Sequence, residues 1–240
     1  MPFVQHVHPQ FRDADEDGLI GLRGSMRCFQ DIHTWYMHAV HKGNDELPEQ
    51  YGAAWVYTRY HIRLFRKMDY TDALELSAWM EPYRQPVLVN MDMQIRQHGV
   101  LTASGKLESC IYSLERRRPL RLSAVDFPEN MPEEREETVP DFFGIPRTDE
   151  GMEVRYERTV RVSDLDKSRH MTNLRYIEMF QDAYDSAFWK EREAQEMEIC
   201  FLSQCMEGER LTVKGKADGE GVHLAALHAD GTLASVARFV

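Results

Sequence analysis

The sequence predicts an α+β fold built from two related halves, each a long amphipathic helix followed by an antiparallel meander of strands. Three observations carry this: a helical periodicity that occurs twice, strand patterns joined by short turns, and in-order matches between the halves. In the first half Leu22, Met26, Phe29, His33, Tyr36 and Val40 recur at steps of three and four. That spacing lines one apolar face over roughly five helical turns. Strands follow. Trp55 to Phe65 is rich in aromatic and β-branched residues, while Val87, Val89, Met91, Met93 and Ile95 alternate with Asn90, Asp92, Gln94 and Arg96. Asp69-Tyr70-Thr71-Asp72 and Gln97-His98-Gly99 supply turn chemistry between them. The second half opens with a strand-like stretch from Glu153 to Val162. It continues into one predicted helix through Leu174, Ile177, Phe180 or Gln181, Tyr184 and Phe188. Links this short leave no room for the crossover helices that parallel strands require.

The halves match in order. Shifted back by 151 residues, Phe180-Gln181-Asp182 falls on Phe29-Gln30-Asp31, Asp164 on Asp13 and Asp166 on Asp15. At an offset of 137, Gly208-Glu209 meets Thr71-Asp72 and Leu211 meets Leu74; at 132, Asp230-Gly231-Thr232-Leu233 meets His98-Gly99-Val100-Leu101. The offset shrinks steadily, as shorter loops in a second copy would produce. Between the halves, Asp126 to Glu150 holds nine acids against Arg135 and Arg147, together with four of the ten prolines. Like charges repel and proline withholds a donor, so this segment reads as an extended connector. The expected organisation is a first half at 1–125, a linker at 126–150 and a second half at 151–240.

Composition bounds the function. The 240-residue chain carries a net charge of -11, with 42% hydrophobic residues and a mean hydropathy of -0.54. It is long and apolar enough for a real core and too hydrophobic for disorder. No apolar run approaches the ~20 residues of a membrane span, and the N-terminus lacks the basic-then-apolar layout of a secretory signal. The acidic balance disfavours a nucleic-acid footprint, which needs clustered positive charge. Cys28, Cys110, Cys200 and Cys205 form neither a disulfide framework nor a paired zinc spacing. His38 and His41 lie three apart with no acid or cysteine to complete a metal set. The expectation is a soluble cytoplasmic protein with reduced thiols and no cofactor or metal.

The densest polar cluster runs from Ser163 to Asn173 and includes Asp164, Asp166, Lys167, Ser168, Arg169, His170 and Thr172. It joins a strand to a helix, where free N–H groups stabilise an oxyanion, and His170 is suited to proton transfer near neutral pH. The same residue types also make an ordinary helix cap.

Asp164-Leu165-Asp166-x-x-x-His170-x-x-Asn173-x-x-Tyr176 resembles the active-site segment of acyl-acyl carrier protein (acyl-ACP) thioesterases. The resemblance extends to Trp55-Val56-Tyr57-Thr58-Arg59 through Asp72, to Trp79, and to Arg116-Arg117-Arg118-Pro119 with Arg121. It implies a double hotdog, two antiparallel sheets each wrapped around a long central helix, of the bacterial kind. The activity implied is hydrolysis of acyl-ACP to a free fatty acid, with the carrier's phosphopantetheine-linked acyl chain as substrate. Alternatives are an acyl-CoA thioesterase and a non-hydrolysing acyl-binding hotdog.

Within that pattern Asp166 and His170 match the family's aspartate and histidine. Ser168 stands where the plant enzymes carry asparagine, and Gln204-Cys205 where they carry Glu-Cys. Glutamine orients water but cannot take its proton, which leaves His170 as the expected base, with Asp166 either holding its ring or stabilising the imidazolium that forms. The preferred scheme has His170 activating a water that Ser168 or Gln204 orients, while N–H groups near Asn173 steady the oxyanion. A second scheme makes Cys205 the nucleophile with His170 as base; lone strand cysteines are usually buried hydrophobes instead. Leu19 stands in the first half where His170 stands in the second. The first half is therefore expected to be non-catalytic and to contribute Met26, Phe29, Tyr36 and Met37 to an acyl pocket, although such a stripe is also plain core. Arg116, Arg117, Arg118 and Arg121 form the one dense basic cluster, either a solvated strand end or a dock for an acidic carrier or for pantetheine phosphate. The chain is expected to be a monomer or homodimer.

Overall fold

The computed structural model describes residues 2–83, 85–128 and 139–240 and divides the chain into two compact units, Met1–Asp141 and Phe142–Val240. The acid-rich part of the expected linker at 129–138 lies outside the described residues. Residues 139–147 form no helix or strand, yet Val139 and Ile145 are buried, Ile145 among Cys200, Ala225, Leu227 and Val236.

The first unit contains β1 (Phe3–Val7), β2 (Leu19–Ile20), α1 (Leu22–Ala39), α2 (Glu46–Tyr51) and β3 (Ala53–Leu64). It continues through β4 (Met68–Asp69), β5 (Leu74–Met80), β6 (Val89–Gln97), β7 (Val100–Ser113) and β8 (Arg118–Pro119). Its sheet has the order β1-β5-β6-β7-β3, with β8 on the far end of β7 and a short β2-β4 pair. Every pairing is antiparallel. The apolar face of α1, with Met26, Phe29, Ile32, Tyr36 and Met37 buried, lies against β3, β5 and β6.

Two local features show how sequence fixes this arrangement. His98 and Gly99 both have positive φ (53° and 75°) between the paired residues Gln97 and Val100. Such a two-residue turn matches the right-handed strand twist, and glycine there takes the left-handed backbone without a Cβ clash. On β7, a Cβ added to Gly105 would meet the Phe29 ring at 2.7 Å, so the missing side chain is what lets α1 seat on the sheet.

The second unit contains β9 (Glu153–Thr159), α3 (Asn173–Gln181), α4 (Ser186–Arg192), β10 (Glu196–Phe201), β11 (Arg210–Asp218), β12 (Gly221–Leu227) and β13 (Leu233–Phe239). Its order, β9-β11-β12-β13-β10, repeats that of the first unit element for element. Each unit also has a 3-10 turn after its first strand, at Phe11–Asp13 and at Val162–Asp164. In both, a buried aspartate accepts the backbone N–H three residues earlier (Asp13 from Gln10, 2.7 Å; Asp164 from Arg161, 2.8 Å).

One expectation is corrected. The second helix is not continuous: α3 ends at Gln181 and α4 begins at Ser186. The Asp185 carboxylate accepts the Phe188 N–H at 2.9 Å and caps a new helix, a role in which aspartate outcompetes helix continuation. Tyr184 keeps its place in the apolar stripe by stacking on Phe188 (ring centroids 4.0 Å) across the break. Among the described residues no helix is long and apolar enough to cross a membrane.

Candidate active site

The polar cluster is held by its buried end. Asp164 accepts the Arg161 N–H and Arg158 Nη2 (2.7 Å), and its carbonyl accepts the Thr172 N–H (2.9 Å). Burial alone would raise the Asp164 carboxyl; the bonds from Arg161 and Arg158 outweigh it and keep the group below the usual carboxylate range. From this anchor the chain turns back on itself. Leu165 pairs with Met171, and the Asp166 N–H donates to the His170 carbonyl (3.0 Å). Arg169 sits at the turn with φ +62°.

Asp166, Ser168, His170 and Asn173 thus share one continuous turn leading into α3. Asp166 and Ser168 are exposed and His170 is half-buried. The Asp166 carboxylate accepts the Ser168 N–H at 2.7 Å, so it braces the turn, and the His170 ring has no hydrogen-bond partner among the described residues. The segment Gln204–Met206 runs alongside: the Met171 N–H donates to the Cys205 carbonyl (2.9 Å), and His170 pairs with Met206. Gln204 is exposed beside the turn. Cys205 is fully buried, and burial pushes its thiol up to about 11, so it is protonated at neutral pH. At the start of α3 the cap residue Thr172 makes no side-chain capping bond; the Arg175 N–H donates to the Thr172 carbonyl (2.9 Å), while the Asn173 and Leu174 amides have no hydrogen-bond partner among the described residues.

The first unit contains the counterpart of this turn, closed. The bridge Leu19↔Asp69 corresponds to His170↔Met206, and the bond Asp15 N–H to Leu19 carbonyl corresponds to Asp166 with His170. In the first unit Asp15 is paired with Arg23 (3.1 Å), and Asp17 with Lys67 (2.5 Å). By the same offsets, Ser168 and Gln204 replace that second pair, and Leu174 replaces Arg23. One copy of the turn is locked by ion pairs; the other presents an unengaged imidazole and two neutral hydrogen-bonding side chains.

The arginine cluster lies on the first unit at the β7–β8 turn. Arg116, Arg117, Arg118 and Arg121 are exposed, and none has an acidic partner among the described residues. Sequence reasoning missed a second polar group, beside Cys205. Ser203 Oγ lies 2.6 Å from His228 Nε2, and His228 Nδ1 lies 3.3 Å from Glu209 Oε2, at a cleft of about 470 Å³. These residues are dispersed along the chain, and only the pairing of strands brings them together.

Fold and turn together define the class: a duplicated hotdog with one open polar turn at a strand-to-helix junction. Residues 147–233 match the family model of the acyl-ACP thioesterase C-terminal domain. Solved structures with the same fold include an acyl-ACP thioesterase from Bacteroides thetaiotaomicron (TM-score 0.83, 15% identity, covering 100% of this chain and 97% of that one). An oleoyl thioesterase from Lactobacillus plantarum is similar over 100% of this chain and 95% of its own (TM-score 0.82, 16% identity). The 12:0-ACP thioesterase from Umbellularia californica is similar over 99% and 96% (TM-score 0.80, 15% identity). No curated protein matches this chain by sequence. The double-hotdog architecture expected from the sequence is the one observed.

Proposed function

We propose that this chain hydrolyses the thioester of acyl-ACP and releases a free fatty acid, with the chemistry on the second unit. The observation that carries this is the open turn around His170, inside the stretch matching the thioesterase family model, where the other unit closes its counterpart with ion pairs. Hydrolysis needs a base, a positioned water and donors for the oxyanion. The unengaged His170 ring takes a proton from water as its oxygen attacks the thioester carbonyl. The Ser168 hydroxyl and the Gln204 amide orient that water, neither being able to act as its base. The open amides at the start of α3, at Asn173, steady the oxyanion. Collapse of the tetrahedral intermediate breaks the C–S bond, and the pantetheine thiolate leaves with the proton from His170. Asp166 shapes the turn through the Ser168 N–H. Cys205, protonated and buried, is the weaker candidate for nucleophile.

Release of carrier thiol from acyl-ACP, wild type beside His170→Ala, tests the reading. Losing a general base costs about 10²–10⁴ in rate. Turnover in wild type that survives in the mutant rejects His170 as the base. Carrier binding without any wild-type turnover rejects hydrolysis and leaves a hotdog that holds acyl chains. The exposed arginines of the β7–β8 turn are the proposed dock for the acidic carrier or its phosphate. The reading places the enzyme in the cytoplasm, as a monomer or homodimer that light scattering distinguishes.

A further inference from the structure

We propose that Cys205, Glu209 and His228 bind a divalent cation of the zinc class. Their donor atoms lie within 4.8 Å of one another, on the second unit, outside the His170 turn. Zinc bonds of 2.0–2.3 Å set ligand atoms about 3.5 Å apart in a tetrahedron. The His228–Glu209 spacing of 3.3 Å already meets this, so only the sulfur has to close in.

The surroundings point the same way. Ser203 Oγ lies 2.6 Å from His228 Nε2 and 3.2 Å from the Leu233 carbonyl oxygen, so Nε2 is engaged and Nδ1 is the ring nitrogen left beside Glu209. Glu209 Oε2 is a buried oxygen with no hydrogen bond, 3.3 Å from that nitrogen, and a cation held by both with Cys205 as third donor satisfies it. Metal-bound histidines usually donate their second ring N–H to an outer partner, which is the part Ser203 plays. Cys205 adds the soft ligand that selects zinc over magnesium or calcium. Its thiol proton leaves on coordination. The cleft bounded by Ser203, Glu209, Arg210, His228, Asp230 and Thr232 gives the cation an entry path and leaves a coordination position for water.

The inference stands apart from the thioesterase reading and is tested without turnover. Chelator-treated protein is titrated with cobalt(II), whose thiolate charge-transfer and tetrahedral ligand-field bands report the donor set. The expected result is saturable one-to-one binding with a thiolate band, displaced by zinc. In Cys205→Ser the thiolate band disappears. In Ser203→Ala affinity falls about 10–100-fold, the usual cost of losing an outer-shell partner. His228→Gln, a change at a partly exposed ring, is the second variant if Cys205→Ser fails to fold, and it weakens binding at least tenfold. No saturable binding, binding without a thiolate band, or a band that survives Cys205→Ser in folded protein overturns the proposal.

Discussion

Asp15 and Asp166 occupy one position in two copies of the same turn, and their neighbours decide what each does. Asp15 meets Arg23, whereas Asp166 has no ion-pair partner among the described residues and binds the Ser168 amide. The motif was legible as a spacing of aspartate, histidine and asparagine, since all lie within eight residues of one turn. Its openness was not, because that depends on what Gln204 and Leu174 fail to supply. The Cys205, Glu209 and His228 group was invisible for a related reason: strand pairing assembles it, and no local spacing announces it. His33 carries a prediction at this scale. It is buried on α1 with Nδ1 bonded to the Tyr57 hydroxyl (2.8 Å), and burial depresses its pKa from 6.5 to about 3. Between those values the unfolded chain takes up a proton that the folded chain refuses, so His33's contribution is intact above pH 6.5 and is lost as pH falls toward 3. Each pH unit in that window costs up to about 1.4 kcal/mol. Urea melts across the window should show a shallower acid slope for His33→Gln than for wild type. Parallel slopes would reject the assignment.

At the scale of elements, periodicity was a good guide for α1 and β6, even though the polar face of β6 buries Asp92 and Gln94 as well. The three-and-four spacing from Leu22 onward gave α1 nearly to its ends, and the two-residue alternation around Met91 gave β6. It failed at Tyr184, because an apolar stripe continues across a break when aromatic side chains bridge it. The cap that makes the break is a single aspartate, a weak signal inside a strong pattern. The contact between α1 and β7 was equally hidden, since an absent side chain leaves no hydrophobic mark. Gly105→Ala puts a methyl within 2.7 Å of the Phe29 ring, with the His61 carbonyl at 3.1 Å behind it. Overpacking of this kind costs about 1–3 kcal/mol. Chemical denaturation should find the mutant destabilised by that amount, and an unchanged midpoint would mean that Phe29 moves aside freely.

Across the whole molecule, charge is the property with the longest reach. A net charge of -11 repels an acidic carrier in general, so the exposed arginines at the β7–β8 turn are the natural place for one to land. The double variant Arg116→Glu/Arg118→Glu should raise KM for acyl-ACP on the order of tenfold at low salt, with kcat little changed. The effect should shrink as salt screens it, and acyl-pantetheine, which lacks both carrier and phosphate, should be unaffected. An equal loss on both substrates would move the arginines from docking to folding. The repeated strand order of the two units has a consequence of a different kind. Both copies lie in one reading frame, so a single codon change that installs histidine, or closes a turn with lysine, alters one copy and spares the other. Two identical subunits encoded once have no such freedom, and every substitution in them is made twice.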